Sequence, residues 1–357
     1  MKKVLTFLFK IFLASIIIYL LVFLKNVYRI SHFPKEEIKK DIIFLSHGGH
    51  YYIWKYPFLN LNFQSILFNY SSKINNKLIR IWDPLQFQPT FIPNCFFGIG
   101  YEKEWQNLKN SKKFFILYSA SSNQIVWTKE IETNISGPAI ISLSPSGKYI
   151  AYITRRDEKG FSELLIWKIN FLTNDKPKLI TRISRIGPHQ LKIPDFIVHS
   201  FGWFPDEKSI LLSIKIKEEC KVVMFDLQSL KYKILENGEV FSLSNDGKQI
   251  VILSRKYEGN NIKIINLENN SQFNISISPL IYIMDVEWSS SGDGIYCIGR
   301  EKRKYLDRYF PPVPTHGLYY VSIGKNQESK IFLIKRKAWL YWGGEVKLFI
   351  KDATKYK

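Results

Sequence analysis

The sequence predicts an all-β protein: a β-propeller of about six or seven four-stranded blades, preceded by one N-terminal transmembrane helix. Three observations predict this fold. A turn motif recurs four times between strand-like segments, an apolar run occupies the N-terminus, and capped stretches of helical period are missing after that run. With 357 residues, 46% of them hydrophobic, the chain can bury a sizeable core.

The N-terminal run is the first element along the chain. From Val4 to Leu24 the sequence carries no charge except Lys10, a length that suits a hydrocarbon core of roughly 30 Å. No small residues suited to cleavage follow Leu24, which favours an uncleaved anchor over a signal peptide. Counted literally, the positive-inside rule keeps the bulk of the chain in the cytoplasm. Because such an anchor usually exports a single β domain, we expect a single-pass membrane protein whose propeller is extracytoplasmic, either periplasmic or extracellular.

The predicted domain organisation follows from this run and from the repeat described next. It consists of a transmembrane anchor at 1–25, a juxtamembrane linker at 26–40, the propeller at 41–350 and a basic tail at 351–357.

The repeat is a tight turn between two strands. Each copy has an apolar–x–apolar strand end, a turn of Ser, Pro, Asp or Gly, and a new strand that opens on Ile. Gly147, Gly247 and Gly292 hold the same place in three copies, where a positive φ is expected. Glu207 replaces the glycine in the other copy, so we expect that turn to be of another type. The copies lie at 141–150, 201–210, 241–250 and 286–295.

Each turn is followed by further strand-like segments, which together make a four-stranded unit. One such sheet cannot bury both faces alone, but sheets packed face to face around an axis cover one another. Less regular segments before residue 137 bring the count to about six blades. Among them, 65–69 is predicted to be the strand that precedes 77–83 in the same blade. The tail segments 338–342 and 345–350 either complete the first blade, joining the two chain ends, or belong to a seventh.

The segment Ser144–Tyr152, S-P-S-G-K-Y-I-A-Y, resembles the repeats of TolB-like and WD-type bacterial propellers. Looser copies occur at 244–253 and 289–298, and the resemblance is good over 137–335 and weak over 41–136. It implies a propeller with a binding or scaffold role, and it brings no catalytic residue with it.

Catalytic and metal-binding motifs were considered and set aside. A G-x-S-x-G nucleophile elbow and a phosphate-binding loop are both missing from the sequence. His47-Gly-Gly-His50 offers two ligands for a metal or a general base, but a tight turn between strands at 41–46 and 50–56 explains both glycines. We therefore predict no catalytic residue, no metal, no cofactor and no enzymatic activity.

The candidate binding site is an insert that interrupts the last repeat. Residues 300–316 combine basic, aromatic and proline residues, and long loops on a rigid scaffold commonly carry binding. The basic groups would contact anionic lipid head groups or a carboxylate-bearing partner; the alternative is a solvated loop stiffened by its prolines. A second insert, 176–196, has the same character to a lesser degree. The predicted binding residues are Arg300, Lys302, Arg303, Lys304, Tyr305, Arg308, Tyr309 and Phe310.

The formal net charge of +20 favours anionic partners, although a lysine-rich composition explains part of it. The functional hypothesis is a membrane-anchored scaffold or accessory subunit of an envelope complex. Its predicted partners are the membrane, through residues 4–24, other membrane or envelope proteins, and anionic lipid head groups. Nucleic acid is not expected, because no nucleic-acid-binding module is recognised. The alternative is an enzyme or ligand-binding propeller with a site at its central channel.

Overall fold

The computed structural model describes the propeller strands and one helix. The described residues are 6, 9–21, 41–47, 50–54, 64–66, 71–74, 77–81, 88–102, 112–119, 121–122, 124–131, 138–154, 163–171, 173, 175–184, 196–216, 219–256, 259–277, 280–301, 316–324, 329–336 and 346–352.

Among the described residues, 9–21 are helical, and the other regular elements there are strands. The strands are β1 (Asp41–His47), β2 (His50–Trp54), β3 (Gln64–Ile66), β4 (Ser71–Ile74), β5 (Lys77–Ile81), β6 (Gln88–Pro89), β7 (Cys95–Tyr101), β8 (Lys113–Ser119), β9 (Gln124–Ile131), β10 (Pro138–Leu143), β11 (Tyr149–Thr154), β12 (Glu163–Lys168), β13 (Lys178–Ser184), β14 (Phe196–Trp203), β15 (Ser209–Ile216), β16 (Glu219–Asp226), β17 (Tyr232–Asn237), β18 (Val240–Leu243), β19 (Gln249–Lys256), β20 (Gly259–Asn266), β21 (Gln272–Ile275), β22 (Leu280–Trp288), β23 (Gly294–Glu301), β24 (His316–Ile323), β25 (Ser329–Arg336) and β26 (Val346–Asp352).

These strands form five four-stranded antiparallel sheets and one of six strands, so the described residues make six blades. Blade 1 has the order β26-β1-β2-β3, and blade 2 runs β4-β5-β7-β8-β9 with β6 on β7. Blades 3 to 6 are β10–β13, β14–β17, β18–β21 and β22–β25. The inner strands β10, β14, β18, β22 and β26 lie side by side in that order. The prediction of an all-β propeller with four-stranded blades is confirmed.

The two ends of the propeller meet in blade 1. Strand β26 pairs with β1 without interruption from Asp41↔Asp352 to His47↔Val346. The tail segment predicted at 345–350 therefore completes the first blade, which was one of the two alternatives. The other tail segment, 338–342, lies outside the described residues. The hairpin predicted around the histidines is also present, with His47 paired to His50 across it.

The first part of the propeller differs in detail from the prediction. Strand β3, expected just before 77–83 in one blade, instead pairs with β2 as the outermost strand of blade 1. Strand β5 joins β7 through Arg80↔Tyr101, and β6 continues along the same edge through Gln88↔Phe97. A strand's place within a blade depends on its pairing partners. Alternation of apolar residues, which all strands share, does not reveal it.

Apolar side chains fill the interfaces between successive blades from blade 2 to blade 6. Between blades 5 and 6, for example, Val251 and Ile262 pack with Val286, Cys297 and Tyr319, all of them buried. Similar clusters lie between blades 2 and 3, 3 and 4, and 4 and 5. Each fully buried aliphatic side chain contributes roughly 2 kcal/mol, so these interfaces supply much of the stability of the fold.

The repeated turns share one backbone conformation, which corrects the expectation for Glu207. Its φ is +59°, close to the +73° of Gly147 and Gly247 and the +76° of Gly292. Its amide donates to Phe204 O at 2.9 Å, as Gly147 N does to Ser144 O. The turn is therefore of the same kind. The Glu207 carboxylate accepts from Ser146 N at 2.7 Å and from Ser146 Oγ at 2.9 Å, which offsets the cost of the left-handed backbone.

The prediction of a single-pass membrane protein with an extracytoplasmic propeller is contradicted. Across the described residues, no helix has the length and apolar character needed to span a bilayer. The predicted span of 4–24 also includes residues outside the described ones.

Two substitutions at Glu207 test the turn. Glu207→Ala removes both hydrogen bonds to Ser146 but keeps the left-handed backbone, so we expect a loss of about 1 kcal/mol in the free energy of unfolding. Glu207→Gly removes the same bonds and also relieves about 1 kcal/mol of backbone cost, so we expect near-wild-type stability. Urea unfolding measures both values.

The control for this pair is Gly247→Ala. It should be more destabilising than either, because φ is +73° and a Cβ would lie 2.8 Å from Pro205 Cδ. If Glu207→Ala proves as stable as Glu207→Gly, the proposed balance of strain and hydrogen bonding is incorrect.

Candidate functional site

The propeller has two unlike ends. One end, here called the turn face, carries the tight turns at 144–148, 204–208, 244–248 and 289–293, where inner strands lead into second strands. Neighbouring turns touch: Ser146 bonds to Glu207, and Asn245 Nδ2 donates to Ser290 O at 3.0 Å. The opposite end is here called the loop face, because the second strand of each blade runs towards it.

The three longest connections between strands, 302–315, 102–112 and 185–195, leave from the loop face. The strands that flank them end there, because antiparallel neighbours alternate in direction. The connections from second to third strands lie at 102–112, 155–162 and 302–315, and those from outer strands to the next blade at 132–137, 185–195 and 337–345. The predicted insert and much of the second insert therefore leave the propeller at the same end, as does the His47–His50 hairpin.

Arg300 is the one predicted binding residue that the structure describes. It lies near the end of β23, paired with His316 on one side and Tyr282 on the other. Its guanidinium carbon lies 5.7 Å from the centroid of the Tyr282 ring. Tyr282 is 38% exposed, and Arg300 is partly buried. The Arg300 Nε is buried and has no hydrogen-bond partner among the described residues.

The remaining predicted site residues lie outside the described residues. They are Lys302, Arg303, Lys304, Tyr305, Arg308, Tyr309 and Phe310. Within the second insert, Arg182 is described, and its Nη2 donates to Glu163 Oε2 at 2.9 Å on the surface of blade 3.

A second polar site, which the sequence did not reveal, lies where blade 6 meets blade 1. Glu287 and Tyr296 are paired directly across β22 and β23, so their side chains share one face of blade 6. The opposite face, with Val286 and Cys297, packs against blade 5. We call the contact of Glu287, Tyr296 and Ser290 with Asp41 and Lys351 of blade 1 the closing interface.

Asp41 connects the start of blade 1 to blade 6. Its side chain is 3% exposed. Its carboxylate accepts from the Tyr296 hydroxyl at 2.7 Å and from the Ser290 amide at 3.2 Å. Burial and the neighbouring Asp41 carboxylate raise the pKa of Tyr296 far above its ordinary value, so the phenol stays protonated and remains a donor.

Glu287 lies on the same face of blade 6 as Tyr296, but its described hydrogen bond runs to blade 5. Ser242 of β18 donates its hydroxyl to Glu287 Oε2 and accepts from the Trp288 amide at 3.2 Å. Burial, together with repulsion from Asp285, raises the pKa of Glu287 to about 8. The Ser242 bond and the positive charge of Lys351 oppose this rise. Glu287 therefore holds a proton at neutral pH and releases it under mildly alkaline conditions.

The equivalent positions in other blades show why sequence reasoning passed over Glu287. In the aligned turn motifs it occupies the place of Ser142, Gly202 and Ser242. An acidic residue where the other copies have small residues was a visible irregularity. The pKa of Glu287 depends on Asp285 of its own strand and on Lys351 of β26. Only the closed ring brings Lys351 close to Glu287.

Comparisons with known proteins support the fold and do not establish a family. No protein-family model and no curated protein matches the sequence. Among solved structures, a puromycin hydrolase is 11% identical with a TM-score of 0.53, over 81% of this chain and 42% of that one. A puromycin-hydrolyzing peptidase from Mycobacterium tuberculosis is 9% identical with a TM-score of 0.50, over 85% and 53%. The putative TolB from Agrobacterium tumefaciens is 14% identical with a TM-score of 0.45, over 88% and 98%.

Two conclusions follow. The propeller fold is supported by the two structures with TM-scores of 0.53 and 0.50, and solved TolB structures are among the other similar chains. The prediction that the chain is not an enzyme is contradicted, because the same fold occurs in two proteins that hydrolyse puromycin. The missing nucleophile motif was an insufficient reason for that prediction. This chain spans about half the length of each of those hydrolases, 42% and 53%.

The pKa of Glu287 predicts a pH dependence of stability. A carboxyl whose pKa rises from 4.5 to about 8 on folding stabilises the fold fully at pH values below 4.5. That contribution is lost as the pH rises to about 8. We expect Glu287→Gln to remove this part of the decline, measured as the difference between wild-type and variant unfolding free energies from pH 5 to 9.

Glu268→Gln is the matched control. Glu268 forms an exposed ion pair with Lys248 at 2.9 Å on the turn face, so its neutralisation should leave the slope between pH 5 and 8 unchanged. Equal slopes in wild type and Glu287→Gln would show that Glu287 titrates normally.

Proposed function

We propose that this propeller is an interaction domain, a scaffold or accessory subunit that binds an acidic protein partner at its loop face. The observation that carries the proposal is the cation–π contact of Arg300, whose guanidinium carbon lies 5.7 Å from the centroid of the Tyr282 ring at the base of the longest insert. The partner's carboxylates would bind to Arg300 and to the basic residues that follow it.

This contact suits carboxylate recognition. A guanidinium close to an aromatic ring is restrained by the cation–π contact, and a guanidinium can donate two parallel hydrogen bonds to a carboxylate. Among the described residues the Arg300 Nε has no hydrogen-bond partner, so its donor capacity is not used within the described part of the propeller. Tyr282, 38% exposed, would add apolar contact area.

The charge of the insert supports the same partner. Residues 302–315 contain Lys302, Arg303, Lys304 and Arg308 against one acidic residue, Asp307. The turns of the turn face mix lysines with acidic residues such as Asp206, Glu207 and Asp293. An acidic surface would therefore be attracted to the loop face and would gain little at the turn face.

The test is quantitative binding after capture from a native extract. Partners would be identified by mass spectrometry and then titrated against wild type and a variant with Arg300, Lys302, Arg303 and Lys304 changed to Ala. We expect at least about a tenfold loss of affinity, in line with roughly 1.4 kcal/mol or more for the removed contacts. Arg300→Lys alone should also weaken binding, because lysine keeps the charge but loses the paired donors.

The control removes the same charge from the turn face. Lys148, Lys168, Lys208 and Lys231 are exposed, and their joint replacement by Ala should leave affinity nearly unchanged. Equal losses in both variants would mean that net charge alone drives association. Unchanged binding in the loop-face variant, or binding to anionic lipid vesicles without any protein partner, would contradict the proposal.

A further inference from the structure

We propose that the outer edge of blade 4 binds an extended segment of another protein in which apolar and acidic residues alternate. The segment would add a fifth strand to this four-stranded sheet, beside β17 (Tyr232–Asn237). This edge is separate from the loop face, so the inference is independent of the proposed function.

The first argument is a pair of exposed apolar side chains on β17. Tyr232 and Ile234 are 44% and 48% exposed. They lie on the face of blade 4 whose neighbouring residues, Val223 and Phe225 of β16, are buried against blade 3. Among the described residues, no other outer strand exposes two large apolar side chains at alternating positions. The apolar face of blade 4 therefore continues to the outer edge of the sheet.

The second argument is a comparison with blade 5, whose outer strand β21 follows the same kind of hairpin. In the two registers, Gln272 and Asn274 occupy the places of Tyr232 and Ile234. Both are exposed, and polar side chains at these places suit contact with water. Contact with water alone does not explain the apolar pair of β17, whereas contact with another polypeptide does.

The third argument is the direction of the backbone groups on this edge. Asp226 N donates to Lys231 O at 2.9 Å across the hairpin. Residues of an antiparallel strand bond alternately to the neighbour on one side and to the neighbour on the other. The N–H and C=O groups of Tyr232 and Ile234 therefore point away from β16. Since β17 ends its sheet among the described strands, these groups suit the addition of a further strand.

The charge of the edge determines the chemistry of the segment. Lys233 lies between the two apolar residues and on the opposite face of the sheet, and Lys231 precedes the strand; both are exposed. Neither forms an ion pair among the described residues, whereas Lys263 of blade 5 is paired with Glu236 at 2.6 Å. Acidic residues opposite the two free lysines, and apolar residues opposite the exposed apolar pair, would form favourable cross-strand contacts.

Binding of synthetic peptides to the full chain tests the proposal. The probe is a fluorescent octapeptide of alternating valine and glutamate, and the comparison peptide alternates valine and lysine. We expect the valine–glutamate peptide to bind at least about tenfold more tightly, because lysine opposite lysine is repulsive. Fluorescence anisotropy measures both affinities.

N-methylated peptides separate strand addition from attraction by net charge. The valines would lie opposite Tyr232 and Ile234 and exchange backbone hydrogen bonds with them. Methylation of the valine amides should therefore lower the affinity by about tenfold or more. Methylation of the glutamate amides, which would point away from β17, should leave the affinity nearly unchanged.

Variants of the chain provide a matched test. Ile234→Pro removes an N–H that points away from β16, so we expect about a tenfold loss of affinity. Asn274→Pro makes the same change at the corresponding place of β21 and should bind like the wild type. Joint replacement of Lys231 and Lys233 by Glu should reverse the preference in favour of the valine–lysine peptide, a result that a folding defect would not produce.

Any of four results would overturn the proposal. The first is no detectable binding of the valine–glutamate peptide, and the second is an equal loss from methylation of the valine and the glutamate amides. The third is an unchanged preference after charge reversal on β17. The fourth is a loss of peptide binding when residues 300 and 302–304 are changed to Ala, because that would place the peptide at the loop face.

Discussion

The fold depends on the burial of apolar sheet faces between successive blades. A single four-stranded sheet exposes two faces, and each is covered when the next sheet packs against it. Ile210, Leu212 and Val223 of blade 4 illustrate this, since they are buried against blade 3. Close packing of the blades also brings adjacent turns into contact. At Gly247 there is no room for a Cβ, because it would lie 2.8 Å from Pro205 Cδ of the preceding blade.

A ring built this way must be closed by a contact that joins its last blade to its first. The described hydrogen bonds of that contact are made by the Asp41 carboxylate with the Tyr296 phenol and the Ser290 amide, and apolar clusters lie between successive blades from 2 to 6. Asp41 and Tyr296 bond at 2.7 Å in a buried setting, so neither can be removed without leaving the other's polar atom unsatisfied. Polar closure is specific, because misaligned partners leave charges buried.

The two ends of the propeller follow from the same strand order. Tight turns must pack against one another at the turn face, so their length and chemistry are restricted. The three longest connections, among them the insert after Arg300, leave from the loop face. Long connections on a rigid scaffold are suited to partner recognition, which is why the proposed binding surface is placed at this end.

The sequence by itself determined the local elements: the four turns, their flanking strands, the propeller class and the basic insert containing Arg300. These depend on short-range patterns of apolar alternation and turn residues, which a linear sequence displays directly. The tertiary structure alone decided the order of strands in blade 2, the φ of Glu207, the joining of β26 to β1 and the environment of Glu287. Each of these depends on residues far apart in the chain, such as Asp41 and Tyr296, or Glu287 and Lys351. Physical contact between such residues exists only once the ring has closed.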